Sequence, residues 1–336
     1  MSSIKPFSIA AAWDRKQLQN DESWIYKLTR SDKAEIDEAL KSTIHNKISS
    51  YPFSKEVFPL PNFSKVLNQI LNILEHGYGL FLIRGLPVQQ YTLDEIRIIY
   101  AGISAYMGTM MSQNKNGELI SDVIDKGEKW GTLMGRGSTT SDPMPFHSDR
   151  CDVVTLICIN KPKSGGESRV VSSVTIHNKI LAQRPDLLET LYKPFYHRRA
   201  LWENDNGALF YSLPIFTAFD GHFACRFLRL YIDLAQELTN VPKLTKLQVE
   251  ALTLFEELAN DKDLFIQTDF EHGDIQFLNN HVTLHARCPF EDGNTLAQKR
   301  HLLRLWLSVP NSRPLAPEFN ALFKNTAAGS IRGGAA

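Results

Sequence analysis

Apolar residues recur at two different periods in this chain, and the two kinds of segment are kept apart. Strand-like runs occupy Val153 to Ile159, Arg169 to Ser172, Leu209 to Leu213 and His222 to Phe227. They return at Phe265 to Asp269, Ile275 to Leu278, Val282 to His285 and Arg300 to Val309. Helical spacing lies elsewhere. Val66, Ile70, Ile73 and Leu74 mark a helix from Ser64 to His76, closed by Gly77-Tyr78-Gly79 and followed by a short strand Leu80 to Ile83. Another helix opens at Thr92 with Glu95 completing a capping box, and two more are expected over Leu228 to Leu238 and from Thr245, where Gln248 repeats the box. Segregation of this kind suits a mainly β fold with helical additions, a sandwich or jelly roll, better than alternating βαβ units. No G-x-G-x-x-G follows a strand, so a dinucleotide fold has no support.

The bulk numbers narrow the function. With 336 residues, 43% of them hydrophobic, the chain can bury a large core in one domain or a core plus a small lobe. Its 37 basic and 37 acidic residues balance, which argues against nucleic-acid or anionic-membrane partners that rely on clustered Lys and Arg. Cys151, Cys158, Cys225 and Cys288 include no C-x-x-C and read as reduced core thiols of an intracellular protein. The first residues lack a signal-peptide core and no apolar run is long enough for a bilayer, so a cytoplasmic location without membrane contact is expected. Residues 107–146 look irregular and polar, as a functional or mobile loop would. The small residues after Lys324 suggest a loose tail.

Pro145-Phe146-His147-Ser148-Asp149 carries the sharpest chemical signal. Residues i and i+2 of a strand share a face, so His147 and Asp149 project together. One imidazole and one carboxylate supply two of the three ligands of a facial triad, and a distant histidine would complete it. His285 is the candidate, in Asn280-His281-Val282-Thr283-Leu284-His285-Ala286-Arg287. His281, four residues earlier, would share its face on a strand and is a rival ligand. The strand that follows gives the triad its meaning. In Arg300-His301-Leu302-Leu303-Arg304-Leu305-Trp306-Leu307, Arg300, Leu302 and Arg304 share one face. Buried guanidiniums need anions, and their planar forks suit carboxylates. A pair of structural ion pairs is the plainer alternative, above all for Arg304.

Phe146-His147-Ser148-Asp149, Gly165-Gly166-Glu167-Ser168, Asn280 to Arg287 and Arg300 to Leu307 occur in one order. In these motifs the chain resembles the taurine dioxygenase and clavaminate synthase-like group of iron(II)/2-oxoglutarate oxygenases. The resemblance implies a distorted double-stranded β-helix, a cupin-like jelly roll core flanked by helices. It spans about 61–315, with 1–60 as an N-terminal extension packed on the core and 316–336 as a C-terminal tail. It also implies Fe(II) on His147, Asp149 and His285, with 2-oxoglutarate as co-substrate and O₂ as oxidant. Arg300, fifteen positions after His285, matches the arginine that clamps the distal carboxylate of 2-oxoglutarate, and Ser168 matches a hydroxyl that bonds the same group. Arg304 matches a position that in some members grips an acidic group of the substrate. Halogenating relatives replace the carboxylate ligand with a small residue; Asp149 therefore favours hydroxylation, or a related desaturation or cyclisation. The expected reaction oxidises a C–H bond of a small acidic or amino-acid-like molecule and releases succinate and CO₂.

Gln113 and Asn114 lie before the first metal-binding segment and are candidates for lining the substrate pocket. Arg136 and Thr139 belong to the same loop and read as part of a lid over the site or, the plainer alternative, as a solvated loop. His177 and His301 are expected to be structural. Two other readings use the same residues: a zinc hydrolase, which leaves Arg300 without a role, and a catalytically silent jelly-roll binding protein.

Overall fold

The computed structural model describes residues 4–132, 137–201, 203 and 207–335. Two facing sheets carry the architecture. The larger runs in the order Ile25–Lys27, Leu80–Arg84, Ile275–Asn279, Val153–Asn160, His301–Ser308, Thr109–Met111, and Ile120–Val123 also pairs with His301–Ser308. Only the first pair is parallel. The smaller sheet runs Phe265–Thr268, Ser168–Ser172, Thr283–Arg287, Met144–His147, all antiparallel. This is the mainly β, helix-flanked fold expected, built as separate sheets and not as a closed barrel.

Side-chain alternation explains how the sheets face each other. Phe81, Ile83, Ile275, Phe277, Leu303, Leu305 and Leu307 pack outward against the helices Arg30–His45, Phe63–His76 and Leu93–Met107. Their neighbours Leu80, Leu82, Leu278, Leu302 and Trp306 turn inward and meet Val170 and Ile266 of the smaller sheet. The outer face of that sheet, through Phe146, Val171 and Leu284, is covered by the helices Ser173–Gln183, Pro185–Leu191 and Lys246–Ala259. Arg300 and Arg304 follow the parity of Leu302 and Trp306, so the strand aims both guanidiniums into the space between the sheets.

Several segments depart from expectation. Arg30–His45 is helical although only Ile36, Ala39, Leu40 and Thr43 join its buried stripe beside Asp32; its Thr29/Asp32 capping box is the local signal. Residues 107–146 are not irregular throughout, because Thr109–Met111 and Ile120–Val123 add strands to the larger sheet. The tail is not loose. Arg332 is fully buried, its Nε donating to Asp152 Oδ1 at 2.7 Å and its Nη2 to the Arg313 carbonyl at 2.8 Å. The main-chain N–H groups of Gly334 and Ala335 bond the carbonyls of Arg150 and Ser112. A sequence of small residues fits there because the backbone itself, at Gly333, lies against Arg150 and Cys151. Toward the other end of the chain, Trp13 is buried between elements, donating its indole N–H to the Tyr78 carbonyl while its own carbonyl accepts from Thr175. No helix among the described residues is long and apolar enough to cross a membrane.

Candidate active site

His147 ends its strand directly opposite His285 in the smaller sheet, which brings the two imidazole centroids to 4.2 Å. Asp149 lies just past the strand end, and its Oδ2 sits 3.6 Å from His285 Nε2. One ligating atom from each of the three residues falls within 4.8 Å of the others. The chain supports each one separately. His147 Nδ1 donates to the Pro145 carbonyl at 2.8 Å, which fixes the tautomer and leaves Nε2 with a lone pair for a metal. The Asp149 N–H donates to Asn280 Oδ1 at 2.9 Å, so the turn before the His285 strand holds the carboxylate's backbone.

Electrostatics keep this set in the metal-binding protonation state. Burial, reinforced by His147, pushes His285 down to about 3, and burial likewise lowers His147. Burial opposes ionisation of Asp149, but the nearby guanidiniums, Arg304 foremost and Arg226 behind it, help hold the carboxyl below its usual range. Asp149 Oδ2 is buried and accepts no hydrogen bond. An orphaned carboxylate oxygen beside two neutral imidazoles is a costly arrangement without a cation. The donor set of two nitrogens and one carboxylate fits Fe(II) with open positions.

His281, the rival ligand, is turned away. It lies in the turn before the strand, so strand alternation does not apply, and its Nε2 is 2.9 Å from Asp152 Oδ1.

Across the same cavity of about 110 Å³, Arg300 is buried with Nη1 unbonded and its guanidinium over the Phe290 ring. Burial and the nearby Arg287 depress it to about 9, the mark of a cation built to meet an anion. Gly166 makes room for it: at φ +79°, a Cβ there would meet Arg300 Nε at 3.1 Å. Ser168 also lines the cavity, its hydroxyl donating to Gln276 Oε1 at 3.1 Å. Arg304 Nη1 lies 3.6 Å from Asp149 Oδ1.

The two candidates in the 107–146 segment are placed behind the cavity wall. Gln113 is fully buried and positions Arg304, accepting from its Nε at 2.7 Å and donating to its carbonyl at 2.8 Å. Asn114 closes a turn, accepting from the N–H groups of Asn116 and Glu118. Neither lines the cavity. Arg136 lies outside the described residues; Thr139, expected to be solvated, is buried with its hydroxyl on Glu128. His301 bonds Asp122 and His177 bonds Tyr192, both structural contacts. The sequence reading passed over Arg150, Arg226 and Arg287, which line the cavity. The one local signal was for Arg287, two residues beyond His285 on the same strand.

The comparisons with known proteins agree with this geometry. Residues 44–306 match the model of the taurine catabolism dioxygenase TauD, TfdA family. The chain belongs to this family. Like the rest of it, the protein is a non-haem iron, 2-oxoglutarate-dependent oxygenase. FR-33289 synthase of Streptomyces rubellomurinus is 32% identical over 316 residues, covering 92% of each chain. The taurine hydroxylase-like protein SAT17 of Stachybotrys chartarum is 29% identical, covering 88% of this chain and 77% of its own. Among solved structures, asparagine oxygenase with Fe(II), 3-hydroxyasparagine and succinate aligns with a TM-score of 0.64 at 16% identity, over 85% of this chain and 94% of that one. The oxygenase OrfP with Fe, succinate and (3S)-hydroxy-L-Arg aligns at 0.62 and 15%, over 84% and 94%. At such identities these two speak for the fold.

Proposed function

We propose that this oxygenase hydroxylates a C–H bond of a small acidic molecule, with His147, Asp149 and His285 holding the iron. The observation that carries the reading is the pairing, across one cavity, of an unsatisfied Asp149 Oδ2 with an uncompensated Arg300 guanidinium. A cation and an anion are called for at opposite sides of the same space. Bound there, Fe(II) with 2-oxoglutarate and O₂ supplies the oxidising power, and succinate and CO₂ leave.

The chain's part is placement. Arg300 and Ser168 receive the distal carboxylate of 2-oxoglutarate, which sets where its other end reaches. Arg304, steadied by Gln113 and by the Trp306 ring 5.0 Å away, receives an acidic group of the substrate. Met144, Leu156 and Phe270 line the same cavity and exclude water from it. The partner is a small molecule, and the balanced charge gives a nucleic acid nothing to hold. Four cysteines without a disulfide support placement in the cytoplasm.

The test is succinate formation from 2-oxoglutarate by protein loaded with Fe(II) without oxygen and then exposed to O₂. Wild type turns over slowly even without substrate, while His147→Ala loses bound iron and more than about 100-fold of the rate. Failure of wild type to bind either iron or 2-oxoglutarate would sink the reading.

A further inference from the structure

We propose that the primary substrate enters as a dianion with no free ammonium group beside the metal, its two negative charges shared between Arg304 and Arg226. This rests on the function proposed above and goes on to fix the charge of the substrate.

The argument is a count of charges. Among the described residues, five arginines line the cavity, at 150, 226, 287, 300 and 304, against two carboxylates, Asp149 and Glu203. Glu203 is committed: its Oε2 lies 3.0 Å from Arg150 Nη1 and 3.6 Å from Arg199 Nη1, with all three side chains nearly buried. Asp149 is committed to the metal. The two charges of Fe(II) are matched by Asp149 and the C1 carboxylate of 2-oxoglutarate, and the distal carboxylate matches Arg300. Arg226, Arg287 and Arg304 remain.

Arg287 is solvated by the protein. Its two terminal nitrogens donate to the carbonyls of Gly137, Thr140 and Asp142. Arg226 is different. It is buried, and among the described residues no carboxylate pairs with it directly, Asp149 and Glu203 acting on its charge only from farther off. Its Nη1 is anchored on the carbonyl and hydroxyl of Ser148, the residue between His147 and Asp149. A guanidinium tied to the metal-binding turn places any anion it holds beside the metal. Arg226 and Arg304 line the same cavity as Asp149, so both guanidiniums face one centre. Two buried cations whose neighbouring carboxylates are committed, Asp149 to the metal and Glu203 to Arg150 and Arg199, are costly, and a ligand bringing two negative charges relieves both. An ammonium group would find no uncommitted carboxylate among the described lining residues and would add to the surplus.

One dianionic group, such as a phosphate or phosphonate, satisfies this count, and so do two separate carboxylates. Three probes distinguish them: butyl phosphate, butyl sulfate of the same shape with one charge fewer, and adipate. Binding is measured anaerobically to protein loaded with Fe(II) and saturated with 2-oxoglutarate, at a pH well above the phosphate's second pKa of about 6.

Butyl phosphate is expected to bind at least about tenfold tighter than butyl sulfate. Arg226→Gln should erase that preference and Arg226→Lys should keep most of it. Binding of 2-oxoglutarate, read separately, reports that the folded site and the function reading stand. Adipate outcompeting butyl phosphate would also support the dianion and assign its charges to two carboxylates. Equal affinity for phosphate and sulfate esters, tighter binding of phosphoethanolamine than of butyl phosphate, or no binding by any probe to protein that takes up 2-oxoglutarate would overturn the proposal.

Discussion

Two histidine–aspartate pairs lie side by side in this molecule, and they have opposite fates. His281 and His285 are four positions apart, and Asp149 and Asp152 three. In the His281–Asp152 pair every carboxylate oxygen is used. Oδ1 meets His281 Nε2 and Arg332 Nε, while Oδ2 accepts from the Ser308 hydroxyl and the Val309 N–H. In the His285–Asp149 pair the atoms stand 3.6 Å apart and Asp149 Oδ2 has no hydrogen-bond partner. The first is a finished network and the second is a site. Residue type does not separate them; satisfied lone pairs do. A basic residue delivered from far along the chain closes one pair, and nothing closes the other except a ligand.

The comparison can be broken most forcefully at Arg332. Arg332→Ala strands a buried carboxylate and should cost about 3–5 kcal/mol in urea unfolding. A loss near zero would mean that Asp152 is not held by charge. Acid should act on the same network. Burial brings His281 from an ordinary 6.5 down to about 4. Its contribution to stability is therefore complete above 6.5 and drains away as pH falls toward 4. His197 and His285, each lowered to about 3, drain in the same direction, so the check is whether His281→Gln flattens part of that slope.

The open pair should respond with the opposite sign. Asp149→Asn removes an unsatisfied carboxylate and should raise the stability of iron-free protein by about 1 kcal/mol while abolishing iron binding. Iron titration followed by denaturant melts reads both effects. The smallest change is expected at the co-substrate end. Ser168→Ala removes one neutral hydrogen bond, worth about 1 kcal/mol, and should weaken 2-oxoglutarate binding several-fold without touching iron content.

Much of this was legible in the sequence because it follows from local periodicity. The alternation in Arg300 to Leu307 placed Arg300 and Arg304 on one face, and the structure keeps that parity and turns the face inward. His147 and Asp149 were paired by the same rule, although Asp149 lies beyond the strand end and is held by Asn280. The rule failed for His281, because a turn resets the alternation just before Thr283. Long-range partners left no local trace. Gln113 reaches Arg304 across 191 positions, and Arg226 reaches Ser148 across 78. Arg332 was hidden among alanines and glycines whose smallness suggested slackness, whereas it allows close passage of the backbone.

The 180 positions between Asp152 and Arg332 also bear on how the molecule comes into being. Synthesis runs from the amino end, so Asp152, the strand Val153–Asn160 that follows it and the partners of that strand emerge before the counter-ion exists. Until residue 332 is available, that carboxylate must stay hydrated or protonated, and the turn next to the iron ligands cannot take its final dry form. Closure of so distant a contact is slow relative to local structure. The metal centre is therefore expected to be among the last parts of the chain to mature, sealed by a segment that contributes no ligand to it.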